Sequence, residues 1–459
     1  MVFSSMEFLF LFLPVFLMVY YLTPHRLRNL CLLLFSLGFY GWGSRDNPAH
    51  FLLLILSVLV NYRVGLRLGR CHSRFLLSVG LVCNFGILFA FKYSHFALSV
   101  LSGIFGFSPP DFQPALPIGI SFYTFQAVSY LFDVYRRRVP PEGSLVRFGT
   151  YITMFPQLVA GPIVRYQDIR QRLRKRRCGV SAFFYGMGQF IAGLGLKVLL
   201  ANRIGRLWET VCGIGFDSIS TPMAWMGILS CSLQLYFDFW GYSQMAIGLG
   251  RMIGFSLPVN FRHPYQARSM TEFWRRWHIT LGAWFREYVY IPLGGNRCGK
   301  WKTVRNLLIV WLLTGIWHGA GWNYLLWGLF LFTVIAIEKA GLLSFLRKKP
   351  LLSHIYMLML IPFSWLLFSV TDPHSLGIYL LRLLGLGGNT VFRGDYIKYA
   401  AQYGGLLAVG ILFCTPIPFR VWDRVKKPWA TVVLLLVILF TSVYYLYLGL
   451  NDPFLYFSF

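Results

Sequence analysis

The chain has 459 residues, 56% of them hydrophobic and 18% aromatic, with only 13% charged, against roughly 25% charged in an ordinary soluble domain. This composition argues against a soluble globule. Forty-three Lys and Arg against sixteen Asp and Glu leave a formal net charge of +27, which calls for nucleic acid, a membrane surface or membrane topology as its explanation. Hydrophobic runs reach from one end to the other, so the expectation is one all-α polytopic membrane domain over 1–459, with a motif-rich core over about 115–340 and C-terminal helices over 350–451.

A helix crossing ~30 Å of hydrocarbon needs about 20 mostly apolar residues. Runs near that length fall at 8–25, 75–91, 112–132, 178–196, 218–237, 306–337, 350–371, 399–419 and 428–451. Shorter runs at 29–44 and 47–62 flank a reversal through Gly41, Gly43, Asn47 and Pro48 and add two candidates. About ten to thirteen membrane helices are expected. The first run has no Lys or Arg before it and no small-residue cleavage site, so it reads as a membrane helix rather than a cleaved signal peptide.

Cationic loops are retained on the cytoplasmic side. Arg26 and Arg28 follow the first run, and Arg63, Arg67, Arg70 and Arg74 follow the third, two crossings later, which places the N-terminus outside. Arg136, Arg137 and Arg138 fall inside only if 93–111 does not cross, so an outer loop is expected there. Between 165 and 177 seven of thirteen residues are basic, opposed by Asp168 alone, and this reads as a cytoplasmic loop. Before it, Phe155 to Pro162 is apolar, too short to span and broken by Pro156, Gly161 and Pro162; it is either re-entrant, with broken backbone sheltered by protein or a water-filled cavity, or a loop in the headgroups. Segment 262–305 carries nine basic residues and two acids. Its Phe273, Trp277, Leu281, Trp284 and Tyr288 fall at helical spacing and Glu272 can pair with Arg276, so one interfacial amphipathic helix is expected.

The run 306–337 holds 32 uncharged residues, which as one helix would extend ~48 Å, well beyond the hydrocarbon core. It must tilt or break, and the natural break is His318-Gly319-Ala320-Gly321. An ionisable residue in such a segment is a functional-site hypothesis by default, and a neutral imidazole can act as a base near pH 7; the plainer role is a buried histidine bonded to a backbone carbonyl. His278 lies forty residues upstream in the interfacial segment, where an interface role is the simpler reading. Asp238 sits in the aromatic run Tyr236-Phe237-Asp238-Phe239-Trp240 and is expected to pair with an arginine or to orient a histidine. Asp133 reads as one half of a membrane-edge ion pair, and His25, His50, His72, His95, His354 and His374 are scattered singly. Eight cysteines show no CxxC pair and read as apolar fillers, with no metal site expected. No GxSxG, HExxH, Walker loop or post-strand GxGxxG occurs. A base without a nucleophile motif points to a nucleophile on the substrate, most simply a hydroxyl.

The chain resembles the membrane-bound O-acyltransferase superfamily, in its bacterial branch of alginate O-acetyltransferase and related envelope polysaccharide acetylases. The matching stretches are MVFSSMEFLFLFLPVFL at the start, FPQLVAGPIVRY at 155–166, YFDFWGYSQMAIGLG at 236–250, TEFWRRWHITLGAWFREYVYIPLGGNR at 271–297 and TGIWHGAGWNYLLWGL at 314–329. The resemblance implies a multi-helix fold around a tunnel across the membrane, with His318 as the active histidine and His278 as the second. Asp238, Trp317 and Asn323 would support them, and Arg165, Arg275, Arg276 and Arg297 are candidates for holding the donor. It further implies acetyl-CoA as donor substrate with no bound cofactor, a cell-envelope polysaccharide or glycan as acceptor, an extracytoplasmic acetyltransferase partner, and residence in a bacterial inner membrane among lipid. Where the family pattern reads DFSGYSDMAIG, this chain has Trp240 for Ser and Gln244 for Asp, which removes any acid at 244. Two other readings stay open. D-alanyl transfer to teichoic acid would take its donor from an acidic carrier protein, although Ile291 to Arg297 looks like the polysaccharide-acetylating branch. A transporter would require paired broken helices in two halves, and only one strong break is evident. Nucleic-acid binding is disfavoured because the cations are spread between spans.

Overall fold

The structure is a computed structural model that describes residues 2–108, 114–159, 161–386, 394–425 and 427–449, and no strand occurs among them. After a π-helical turn over Phe8–Phe12 come α1 (Leu13–Leu22), α2 (Arg28–Gly43), α3 (Pro48–Cys71), α4 (Arg74–Lys92), α5 (Ser94–Phe105), α6 (Ile120–Tyr135), α7 (Leu145–Thr153), α8 (Phe155–Leu158) and α9 (Tyr166–Arg174). Then follow α10 (Val180–Gly195), α11 (Asn202–Ile214), α12 (Thr221–Met252), α13 (Met270–Arg276), α14 (Ile279–Phe285), α15 (Lys300–His318) and α16 (Trp322–Ile337). The chain continues through α17 (Leu343–Lys348), α18 (Pro350–Ser369), α19 (Pro373–Leu383), α20 (Asp395–Phe413), α21 (Ile417–Val425) and α22 (Pro428–Tyr447).

Six of these stretches are long and apolar enough to cross a membrane: Pro48–Cys71, Arg74–Lys92, the continuous Val180–Ile214, Trp322–Lys348, Pro350–Ser369 and Pro428–Tyr447. The pair α20 and α21, bent by 75°, makes a seventh if taken as one span. Shorter apolar helices lie at Phe8–Leu22 and Ser94–Phe105. The chain is an all-α multi-pass membrane protein.

Several local expectations take a different form. The outer loop expected over 93–111 contains α5, twelve residues and so about 18 Å long, too short to cross; 109–111 lie outside the described residues. The basic loop 165–177 contains α9, which buries Tyr166, Ile169 and Leu173 and caps itself through Asp168, whose carboxylate accepts from the backbone and guanidinium of Arg165 at 3.0–3.1 Å. The single amphipathic helix expected through 273–288 is broken. All five spaced apolar residues are buried, but α13 stops at Arg276, His278 takes left-handed dihedrals (φ 41°, ψ 53°), and α14 starts afresh.

The chain falls into two compact units. The first comprises Met1–Phe190 with Tyr242–Pro258. At its centre Phe155 packs against Phe8, Phe12, Phe16 and Phe39, ring centroids 5.0–6.2 Å apart. Phe155, Leu158, Ile163 and Val164 are buried, so the Pro- and Gly-broken stretch is enclosed by protein; Ala160 within it lies outside the described residues. Asn61 on α3 and Asn84 on α4 exchange amide hydrogen bonds at 2.7 and 3.1 Å, the kind of interhelical polar pair that joins helices where lipid offers no hydrophobic drive. Gln244, at the position of the family's acid, accepts from Gln189 at 2.9 Å.

The second unit comprises Ile191–Gly241 with Val259–Phe459. Its core gathers Tyr236, Phe237, Phe239, Phe261, Phe273, Trp277, Trp311, Trp327, Trp365 and Phe368 around α12, α13, α15, α16 and α18. Trp240 stacks on Tyr236, centroids 5.1 Å apart and planes at 14°. Asp238 pairs with Lys197 at 2.7 Å, both nearly inaccessible, which corrects the expected arginine partner. The eight cysteines are free thiols; Cys31, Cys231 and Cys414 are buried, whereas Cys71, Cys83 and Cys212 face outward and fill no core.

Candidate active site

All of the candidate site's central residues lie in the second unit. Helices α15 and α16 form a hairpin whose reversal is Gly319-Ala320-Gly321, with both glycines extended (φ −168° and −164°). The two helices approach through Gly315 and Gly328: a Cβ on the first would stand 2.3 Å from the Tyr324 carbonyl oxygen, and on the second 2.5 Å from that of Trp311. Such small-residue contacts let membrane helices pack backbone to backbone. The hairpin sets His318 as the last residue of α15, 7% exposed. The expected break in the long apolar run is therefore where the sequence places it.

The imidazole of His318 is walled by aromatic rings: Trp317 at 4.9 Å, Trp327 at 5.1 Å and Phe368 at 5.2 Å between centroids, each roughly perpendicular. These walls are themselves held. The Trp327 indole donates to the Ser364 hydroxyl at 3.0 Å, and the Asn323 amide donates to the Phe368 carbonyl at 2.9 Å.

His278 lies in the connection between α13 and α14, 1% exposed, with its ring 4.7 Å from Phe239 and 5.9 Å from Trp317. Trp317 thus touches both imidazoles. A left-handed non-glycine residue costs about 1–3 kcal/mol and persists where its surroundings over-determine it. Here Ile279 donates its backbone N–H to the Asn260 carbonyl at 3.0 Å, Thr280 donates to the Asn260 side chain at 2.6 Å, and Arg262 donates to the Arg276 carbonyl at 3.0 Å. Burial pushes the His278 pKa down, which favours the neutral ring.

A cavity of about 590 Å³ has His278 in its wall, together with Trp274, Trp311, Tyr290, Arg275, Arg286 and Lys339. No carboxylate lines it among the described residues. A second cavity of about 740 Å³ is lined by His263, Arg268, Arg275, Arg276, Arg347, His354 and Arg420, with Glu272 as the acid. Thr271 and Arg275 line both. The pair expected between Glu272 and Arg276 forms at 2.5 Å. His318 lines neither cavity, Arg297 is exposed and lines neither, and Asp238 is occupied with Lys197. Arg165 belongs to the first unit, where Asp168 holds it.

Sequence reasoning placed Arg286 only within the basic segment 262–305, named no role for Lys339, Arg347 and Arg420, and passed over His354 as a scattered histidine. These residues are up to 134 positions apart, from Arg286 to Arg420, and only helix packing gathers them. One signal was present for Lys339: with Glu338 it ends the long uncharged run.

A multi-pass helical protein with a buried histidine at a glycine hairpin, beside cationic cavities, has the makings of a membrane group-transfer enzyme. Residues 121–380 match the model of the membrane-bound O-acyltransferase family. The probable alginate O-acetylase AlgI of Pseudomonas aeruginosa is 43% identical over 80% of this chain and 72% of its own length. The peptidoglycan O-acetyltransferase of Helicobacter pylori is 32% identical over 100% of this chain and 98% of its own. A teichoic acid D-alanyltransferase of Streptococcus thermophilus is 30% identical over 50% of this chain and 58% of its own length. The chain belongs to the membrane-bound O-acyltransferase family. It is an O-acyltransferase, similar to enzymes named for O-acetylation of envelope polymers.

Proposed function

We propose that the protein moves an acetyl group from acetyl-CoA on the cytoplasmic side of a bacterial inner membrane to hydroxyls of an extracytoplasmic polysaccharide, directly or through an extracytoplasmic acetyltransferase partner. The observation that carries this reading is the cavity lined by Arg275, Arg286 and Lys339 with His278 in its wall, beside Trp317, which also contacts His318. A coenzyme A thioester is a polyanion on a long arm. Arginines suit its phosphates, and Arg275, shared by both cavities, is the natural first contact.

His318 accepts the proton of the acceptor hydroxyl as its oxygen attacks the thioester carbonyl. The new C–O ester bond forms, the C–S bond breaks, and the proton passes from the imidazole to the departing thiolate, leaving free CoA. Neutral His278 can donate a hydrogen bond to the carbonyl oxygen while it carries negative charge. Trp317 and Asn323 keep the aromatic walls in register, and Asp238 with Lys197 braces α12 against the turn that follows α10.

The acceptor class rests on relatives named for alginate and peptidoglycan acetylation. The test supplies acetyl-labelled CoA to the cytoplasmic face of vesicles carrying the protein, with glycan on the opposite face. The expected result is ester-linked label on the glycan, matched one to one by free CoA. Transfer of D-alanine from a carrier protein, with none from acetyl-CoA, would overturn the proposal.

A further inference from the structure

Glu338, directly after α16, has no exposed surface, and the described ion pairs do not include it. Four donors meet its two oxygens. Oε1 accepts from the Met270 backbone N–H at 2.6 Å and the Tyr356 hydroxyl at 3.2 Å; Oε2 accepts from the Thr271 backbone N–H at 2.8 Å and the Thr271 hydroxyl at 2.6 Å. Every partner is a donor, so both carboxyl oxygens act as acceptors in all four contacts, and a buried polar group is tolerated only when hydrogen-bonded in this way.

Two of those donors open α13. A helix leaves its first amides without internal partners, and α13 has only seven residues, too few to hold itself. Glu338 takes the amides of Met270 and Thr271, and the Ser269 hydroxyl takes that of Glu272 at 3.1 Å. The same short helix carries Thr271 and Arg275, which line both cavities, and ends two residues before the left-handed His278. Asn260 fastens the far side of that turn. Glu338 fastens the near side.

We infer that Glu338 is a positioning residue of the acyl-transfer site: its carboxylate anchors the N-terminus of α13 and so sets Arg275 and His278 for the donor. This rests on the acyltransferase reading, and for the donor's identity on the proposal above. A displacement of ~1 Å at a reacting group can cost on the order of 100-fold in rate, so the anchor matters without touching substrate.

Glu338→Gln keeps the shape but turns an amide NH₂ toward backbone N–H groups, and Thr271→Val deletes the hydroxyl contact independently. Hydrogen exchange of the full-length protein in lipid nanodiscs is expected to show amides of 268–278 exchanging at least about tenfold faster in Glu338→Gln, with those of α15, α16 and α18 unchanged. Thr271→Val should shift the same amides less. Ester content of the envelope in cells carrying Glu338→Gln should fall by about tenfold or more, and with purified protein the KM for acetyl-CoA should rise in both variants. Unchanged exchange over 268–278, or faster exchange spread equally over α15, α16 and α18, would overturn the inference, as would wild-type ester content. Exchange and ester content do not depend on which donor is used. If wild-type protein ignores acetyl-CoA while the exchange pattern and the ester loss appear, the donor assignment falls and the positioning role stands.

Discussion

His318 is enclosed by aromatic neighbours from its own and other helices. Its ring stands perpendicular to Trp327 and Phe368, and each of those is tied to a different helix or backbone group, Trp327 through Ser364 and Phe368 through Asn323. Ser364→Ala therefore leaves an indole N–H buried without its acceptor, at a cost of about 1–3 kcal/mol. The expected outcome is a lower melting temperature together with a kcat loss larger than any change in donor KM, read from steady-state kinetics and a melt of the detergent-solubilised protein. The break at His318 was legible in the sequence, because 32 uncharged residues are too long for one straight span and two glycines follow the histidine. The aromatic walls were not. Trp327 and Phe368 look like any other membrane-helix residues until packing brings them onto the imidazole.

At the scale of elements, the α15–α16 hairpin depends on two missing side chains. Replacing Gly with Ala inside a helix normally helps by about 1 kcal/mol. At Gly315 and Gly328 the new Cβ would meet a backbone carbonyl at 2.3 and 2.5 Å, and overpacking of this kind costs about 1–3 kcal/mol or more; backbone cannot step aside as a flexible side chain can. Gly315→Ala and Gly328→Ala should lower the melting temperature and reduce transfer, whereas Gly404→Ala, with nothing within 4 Å on α20, should be neutral or slightly stabilising. The connection before α7 supplies a pH dependence. Glu142 is fully buried, which by itself would raise its pKa, but hydrogen bonds from Arg147, Tyr166 and the Ser144 backbone outweigh burial and lower it. A lowered folded-state pKa contributes stability that is present above the ordinary carboxylate value and lost as pH falls through the folded one. Thermal melts should lose stability below about pH 4.5, and Glu142→Gln should flatten that part of the profile. The break between α13 and α14 could not be read from sequence, since Phe273, Trp277, Leu281, Trp284 and Tyr288 keep helical spacing straight through it and no Gly or Pro marks His278. The turn is imposed by Asn260 and Glu338, each remote in sequence from the residues it holds.

Across the whole molecule, the excess of 43 basic over 16 acidic residues divides into two uses. Clusters between apolar runs read as topology, and the same runs define most of the long helices that the structure contains. A smaller set, Arg268, Arg275, Arg276, Arg286, Lys339, Arg347 and Arg420, lines two cavities of the second unit. The apolar helices were legible because apolar runs are local; the cavities were not, because their walls come from four separate stretches of chain. Charges that bind a polyanion are screened by salt, with a Debye length of about 10 Å at 0.1 M and 3 Å at 1 M. The donor KM should therefore rise several-fold from low to high ionic strength with little change in kcat. Arg347→Gln and Arg420→Gln should raise it at low salt and weaken its salt dependence.

The most direct test of the account compares purified wild-type protein with His318→Ala for transfer of acetyl from labelled acetyl-CoA to the glycan acceptor, alongside donor binding and thermal melting. Turnover should fall by about 10²–10⁴-fold, with binding and melting close to wild type. Turnover within a few-fold of wild type in a folded, donor-binding His318→Ala protein would contradict it.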